Sequence, residues 1–264
     1  MQGGSSLFLS VWDATRSISY TRNLGTNLNG FLPSSITTLP NDGNVAGTPV
    51  TGNRTPEAGL TASFPGDALF TSTFAVSNPD NVQWNVVAFD QNASTNTGLS
   101  RVISTATSPP GTTNAGIGLI AFGGQAYLTA LLNDYPLFAS PNQNSVVATD
   151  PSLGSYAGQG SWGEGLNGGN IASAGTGFSG DLGFFYLART QISGLNSTLA
   201  TNLRYGNSAG FARWSLAANG TATYTLDSAA MAPVPLPPAV GLFGAGLAAF
   251  WGLARRRKAM ASAN

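Results

Sequence analysis

Residues 239–254 are 16 side chains without charge or strong polarity, closed by prolines on one side and by Arg255-Arg256-Arg257-Lys258 on the other. A stretch this apolar must be buried in protein or in lipid, so it constrains the fold more than any other feature of the chain. As a helix it spans about 24 Å, against about 30 Å of bilayer hydrocarbon. Extension backwards adds little, because Pro233, Pro235, Pro237 and Pro238 interrupt helix there. The run is rich in Gly and Ala, which predicts a marginal single transmembrane helix suited to temporary retention. The positive-inside bias keeps the basic residues in the cytoplasm and places the preceding body across the membrane. A buried core helix is the competing reading, and it leaves the adjoining basic cluster unexplained.

The body is built with few charges. Asp, Glu, Lys and Arg make up 8% of the chain, against about 25% in an average protein. Ahead of the tail, eleven acidic residues face seven arginines, a balance near −4, although the whole chain is neutral. Such a surface does not favour nucleic acid. Cysteine and histidine are absent. Their absence excludes a disulfide framework, a thiolate nucleophile, a Ser-His-Asp triad and the common zinc and haem sites.

Carboxylate chemistry stays open. Asp80, Asp90, Asp134, Asp150, Glu164 and Asp181 are candidates for a glycosidase pair, which needs two carboxyls at a set separation, but no local spacing selects two of them. The reading of the chain is therefore non-enzymatic, with no cofactor. A structural calcium is the one open metal, through the oxygen-rich turns Asn41-Asp42-Gly43-Asn44 and Asn78-Pro79-Asp80-Asn81. Neither follows the twelve-residue calcium-loop pattern, and Asx turns commonly bond their own backbone. Gly-rich segments such as 163–169 lack the strand, helix and lysine of a phosphate cradle. Trp12, Trp84 and Trp214 sit in strand patterns and are expected in the core. Trp162, between glycine-rich stretches, is the candidate for stacking on a sugar ring.

Strand patterns dominate the body. Residues 7–12 and 17–21 read as a hairpin. Residues 82–89 place Val82, Trp84, Val86 and Ala88 on one face, and residues 182–188 are apolar on both faces, as in a central strand. Residues 211–216 and 221–226 join through Asn219-Gly220, a dipeptide that accepts the positive φ angles of a tight turn, with Ala222, Tyr224 and Leu226 facing inward. Two helices are expected. One covers 67–75, capped by Asp67 with Phe70 and Phe74 one turn apart. The other covers 116–132, with Ile117, Ile120, Ala121, Tyr127, Leu128, Leu131 and Leu132 on one stripe and a break at Gly123-Gly124. Residues 136–180 read as long surface loops or a flexible insertion, and 228–234 as a spacer. The expected architecture is mainly β, an antiparallel sandwich or jelly-roll-like domain with one or two helices.

Val234-Pro235-Leu236-Pro237, the apolar span containing Leu242-Phe243-Gly244-Ala245-Gly246-Leu247, and the Arg255-Arg256-Arg257-Lys258 stop together resemble a PEP-CTERM sorting signal in its VPLPA-like variant. Leu236 stands where Glu is usual, and Pro238 where the variant often has Ala. Residues 7–13 and 19–25 resemble the start of mature domains that carry this tag. The resemblance implies an exported protein of a Gram-negative bacterium. An exosortase-type membrane protease-transpeptidase would recognise the Pro motif and remove the tail at the inner membrane, leaving the body at the cell surface or in the extracellular matrix. Residues 1–228 are then the exported β-rich domain, 229–238 the spacer and sorting motif, 239–254 the membrane segment and 255–264 the basic cytoplasmic tail. An exported chain carries an N-terminal signal peptide; residues 1–6 have no such character, so the signal is expected to have been removed ahead of Met1. The expected role is structural or adhesive in a biofilm-type matrix, by self-assembly or by association with exopolysaccharide. A carbohydrate-binding module, which needs a row of exposed aromatics, is the alternative, and a carboxylate hydrolase comes third.

Overall fold

A computed structural model describes residues 6–28, 51–53, 60–90, 101–107, 113–139, 144–158, 175–176, 180–189, 200–207 and 209–227. All belong to one compact unit, Met1–Ala229. The predicted transmembrane helix, the sorting motif and the basic tail lie outside the described residues.

In chain order the first strands are β1 (Ser6–Asp13), β2 (Ile18–Asn27), β3 (Thr51–Asn53) and β4 (Leu60–Phe64), followed by helix α1 (Ala68–Phe74). Strands β5 (Val82–Asp90) and β6 (Arg101–Ala106) lead into helix α2 (Asn114–Asp134). Then come β7 (Ser145–Ala148), β8 (Gly175–Thr176), β9 (Leu182–Ala188), β10 (Thr201–Arg204), β11 (Gly206–Asn207), β12 (Gly210–Phe211), β13 (Arg213–Leu216) and β14 (Ala222–Leu226). The main sheet runs β4-β14-β13-β9-β6-β5-β1-β2-β7, with β8 on β5 and β10 on β9; β11 and β12 form a separate ribbon. Every described pairing is antiparallel except β10 with β3.

The expected sandwich is replaced by a single curled sheet. Strand twist accumulated over so many strands turns a sheet on itself rather than leaving it flat. The curl is visible at Phe70: its ring meets Tyr20 of β2 edge-on, with centroids 5.2 Å apart. The same ring backs onto the β13–β14 turn, where a Cβ added to Gly220 would lie 2.5 Å from it. Strands far apart in the sheet order thus share one inner face.

Alternation builds both faces. Leu9, Val11, Trp84, Val86, Ala88, Phe184, Tyr186, Trp214, Tyr224 and the two α1 phenylalanines fill the inner core. Trp214 packs among Phe64, Phe184 and Tyr224 at 5.5–5.7 Å. The other face carries Phe8, Trp12, Val87, Phe89, Val102, Phe185 and Leu187 under Ile117, Ile120, Ala121, Tyr127 and Leu131 of α2. By length and composition α2 would also cross a membrane, but its apolar stripe is buried against the sheet, which marks a core helix.

The 7–12/17–21 hairpin, the inner face of 82–89, the central strand 182–188 and the three buried tryptophans are all found as expected. Three local readings change. The helix is not broken at Gly123-Gly124: a Cβ at Gly124 would lie 2.5 Å from the Phe89 ring, so glycine lets α2 approach β5. The β13–β14 turn is not a two-residue turn. Gly220 donates to the Ala217 carbonyl at 2.8 Å and alone takes a positive φ, +82°, while the Asn219 side chain accepts from the Thr221 N–H. This is a type I turn followed by a left-handed glycine. Finally, 136–180 is not all loop: Ser145–Ala148 adds an edge strand to β2, and Tyr156 and Ala157 are buried.

Candidate functional site

A polar network lies where the two ends of the curled sheet approach each other. The sharp β4–α1 corner begins it. Gly66 N–H donates to Thr221 Oγ1 at 3.2 Å, and Arg22 donates to the Pro65 carbonyl. Asp67 then has two duties. One carboxylate oxygen caps α1 by accepting from Phe70 N–H at 2.7 Å; the other accepts from the Tyr20 hydroxyl at 2.8 Å. The first duty is the usual reason for aspartate at a helix start; the second ties that start to β2. At the far end of α1, Arg16 of the β1–β2 turn donates to the Thr73 carbonyl and to Ser77 Oγ, at 2.9 and 2.7 Å. Asp13 folds that turn, accepting from Thr15 N–H, Thr15 Oγ1 and Arg16 N–H.

Burial pushes the Asp67 carboxyl up, but the Phe70 N–H, the Ser145 and Tyr20 hydroxyls and the Arg22 charge outweigh it and hold it below its ordinary value. Burial and the facing carboxylate raise the Tyr20 phenol, so it stays a donor. A carboxyl depressed in the folded state stabilises the fold above its unfolded pKa and loses that contribution as pH falls through the folded value. Asp67→Ala is therefore expected to destabilise near neutrality by about 0.5–2 kcal/mol, the range for a lost N-cap. The gap to wild type should close below about pH 3.9. Urea unfolding of both proteins at several pH values checks it; a gap that does not depend on pH would refute the assignment. This network closes a seam. It presents no nucleophile beside a base.

Among the described residues, the candidate carboxylates do not gather into one cluster of three. Val234, Pro235, Leu236, Pro237, Arg255, Arg256, Arg257, Lys258, Trp162, Glu164 and the 41–44 turn lie outside the described residues. The charges of Asp134 and Asp150 both act on Tyr135, whose phenol is raised first by burial. Each is exposed and held by a serine, Asp134 by Ser155 and Asp150 by Ser152, both at 2.6 Å. Asp181 pairs with Arg213 on the surface, and Arg213 also reaches Asp227. Exposed pairs of this kind contribute little. A shallow groove along α2 is lined by Gln125, Ala126, Thr129, Ala130 and Asn133, with no titratable group.

The 78–81 turn closes on its own backbone: the Asn78 side chain accepts from Asp80 N–H, and Asn81 N–H donates to the Asn78 carbonyl. Among the described residues, no three acidic side chains gather where a metal ion would sit. Phe211 is the exposed aromatic of the described surface, and the Arg204 guanidinium lies 3.8 Å from its ring centroid. The sequence reading missed the Tyr20–Asp67 tie. The Asp67 cap was legible as a cap, but nothing local marks a partner 47 residues away.

No family model matches the chain, and neither a curated protein nor a solved structure matches it. The molecule's own residues are therefore the basis for its function.

Proposed function

We propose that the chain is an exported structural or adhesive protein of a bacterial surface or extracellular matrix, delivered through its C-terminal sorting segment. One observation carries the reading: a proline motif, an apolar segment and a basic stop follow one another within residues 234–258. In this reading an exosortase-type membrane protease-transpeptidase recognises Val234-Pro235-Leu236-Pro237. The 239–254 segment tethers the precursor in the inner membrane, and Arg255–Lys258 hold the stop on the cytoplasmic side. Cleavage releases the β-rich body to the surface.

The body suits that role physically. Its charge-poor surface offers hydroxyls and amides, groups that hydrogen-bond polysaccharide or a second copy of the chain. Its stability rests on burial of aromatic and aliphatic side chains on both sheet faces, without cysteine. Its partners are then the sorting protease, exopolysaccharide and further copies of itself, and its action is non-catalytic.

Intact-mass measurement of the protein recovered from its native cell surface tests this. The expected mass ends between Pro235 and Pro238, alone or with an attached group. A surface-recovered mass that still includes Lys258 would refute processing.

A further inference from the structure

The helix-facing side of the sheet carries a polar row where the flanking positions are apolar. Ser10 pairs with Asn85 across β1 and β5, and with Thr21 across β1 and β2. Alternation places all three beneath α2, because Phe8 and Trp12 of β1 and Val87 and Phe89 of β5 belong to the core under that helix. Asn85 and Ser10 have no exposed surface, and Thr21 has 1%.

The row meets α2 at Tyr127, whose hydroxyl is bonded to Thr21. Burial raises the Tyr127 phenol, and the Thr21 and Ser10 hydroxyls oppose that rise. Ser10 is thus near Tyr127, but its Oγ makes no bond of normal geometry; neither do Nδ2 and Oδ1 of Asn85. An amide offers two donors and two acceptor lone pairs, and a fully buried one without partners is costly. Native folds answer such groups with protein bonds or with ordered water.

We infer that Asn85, Ser10 and Tyr127 enclose an internal water site between α2 and strands β1 and β5. The donor set selects the occupant. An amide donor, an amide acceptor and a hydroxyl supply the two to four bonds that a buried water makes. The row has no carboxylate to neutralise a cation and no cationic group to hold an anion. Neutral partners of both polarities fit a neutral molecule that donates and accepts. The water joins the helix to the sheet where side chains alone leave Asn85 unanswered.

Water-selective cross-relaxation NMR on the ¹⁵N-labelled full chain tests the site. The Asn85 side-chain amide is expected to show a cross-peak to water with the sign of a long-lived contact. Ser10→Ala and Tyr127→Phe each remove one hydroxyl through which proton exchange would relay the same signal, and the cross-peak is expected to persist in both. An assigned Asn85 amide without a water cross-peak overturns the inference. Persistence in both variants excludes relay through either hydroxyl and leaves the amide pair of Asn85 as the group that holds the water.

Discussion

Replacing Trp214 with alanine is expected to destabilise the body by about 3–5 kcal/mol, the range for emptying an aromatic site in a packed core. Trp214 has no exposed surface and touches rings contributed by β4, β9 and β14. Those strands are anchored by backbone pairing, so they cannot collapse far into the space left behind. Offset and edge-on ring contacts add to the loss beyond area alone. Phe211→Ala is the matched control. That residue is 41% exposed and its ring touches the Arg204 guanidinium, so its loss is expected to cost under about 1 kcal/mol. Urea unfolding of both variants checks the contrast. Equal effects would mean that Trp214 is not an interior anchor.

Gly66→Ala is the second large effect, through a different mechanism. A Cβ on Gly66 would lie 1.8 Å from the Asn219 carbonyl oxygen and 2.8 Å from a Gly220 backbone atom. Both obstacles are main chain, so no rotamer change relieves them. The β4–α1 corner must instead part from the β13–β14 turn, loosening the Gly66–Thr221 hydrogen bond beside Asp67. Overpacking commonly costs about 1–3 kcal/mol, and a backbone collision belongs at or beyond the upper end of that range. Gly25→Ala separates this from conformational strain: Gly25 has φ +74° with nothing within 4 Å of an added Cβ, so only about 1–2 kcal/mol is expected there. Thermal unfolding of the two variants should differ accordingly. A Gly66→Ala protein as stable as Gly25→Ala would show that the corner is not packed on the turn.

The seam also bears on how copies of the body meet. The main path of the sheet ends at β4 and β7, a side branch ends at β3, and unpaired strand edges recruit other chains. Here the β4–α1 corner is bonded to β2, and α1 packs against β7.

What was legible in the chain follows from locality. The β1–β2 hairpin, the inner face of β5, the two-sided β9 and the capped α1 each depend on residues a few positions apart, and period and cap chemistry report them directly. Strand β6 escaped because Arg-Val-Ile-Ser-Thr-Ala does not alternate cleanly; its arginine, serine and threonine are buried all the same. Strand β7 escaped because four residues inside a Gly/Ser/Asn-rich stretch carry too little pattern. The polar row of Asn85, Ser10 and Thr21 was hidden for a related reason: each residue looks like an ordinary polar position in its own strand, and only the register lines them up beneath Tyr127.

By itself the order of residues determined the β-rich class, the core tryptophans, the exclusion of cysteine and histidine chemistry, and the three-part C-terminal segment on which the proposed route depends. Only tertiary structure decided that the sheet curls instead of splitting into a sandwich. It also decided that Gly124 brings α2 onto Phe89, and that Asp67 fastens β2 as well as capping a helix. The reason is distance along the chain. Periodicity and capping are properties of neighbours, whereas curl, close approach and a bond across 47 positions arise only when twist and burial bring remote segments together.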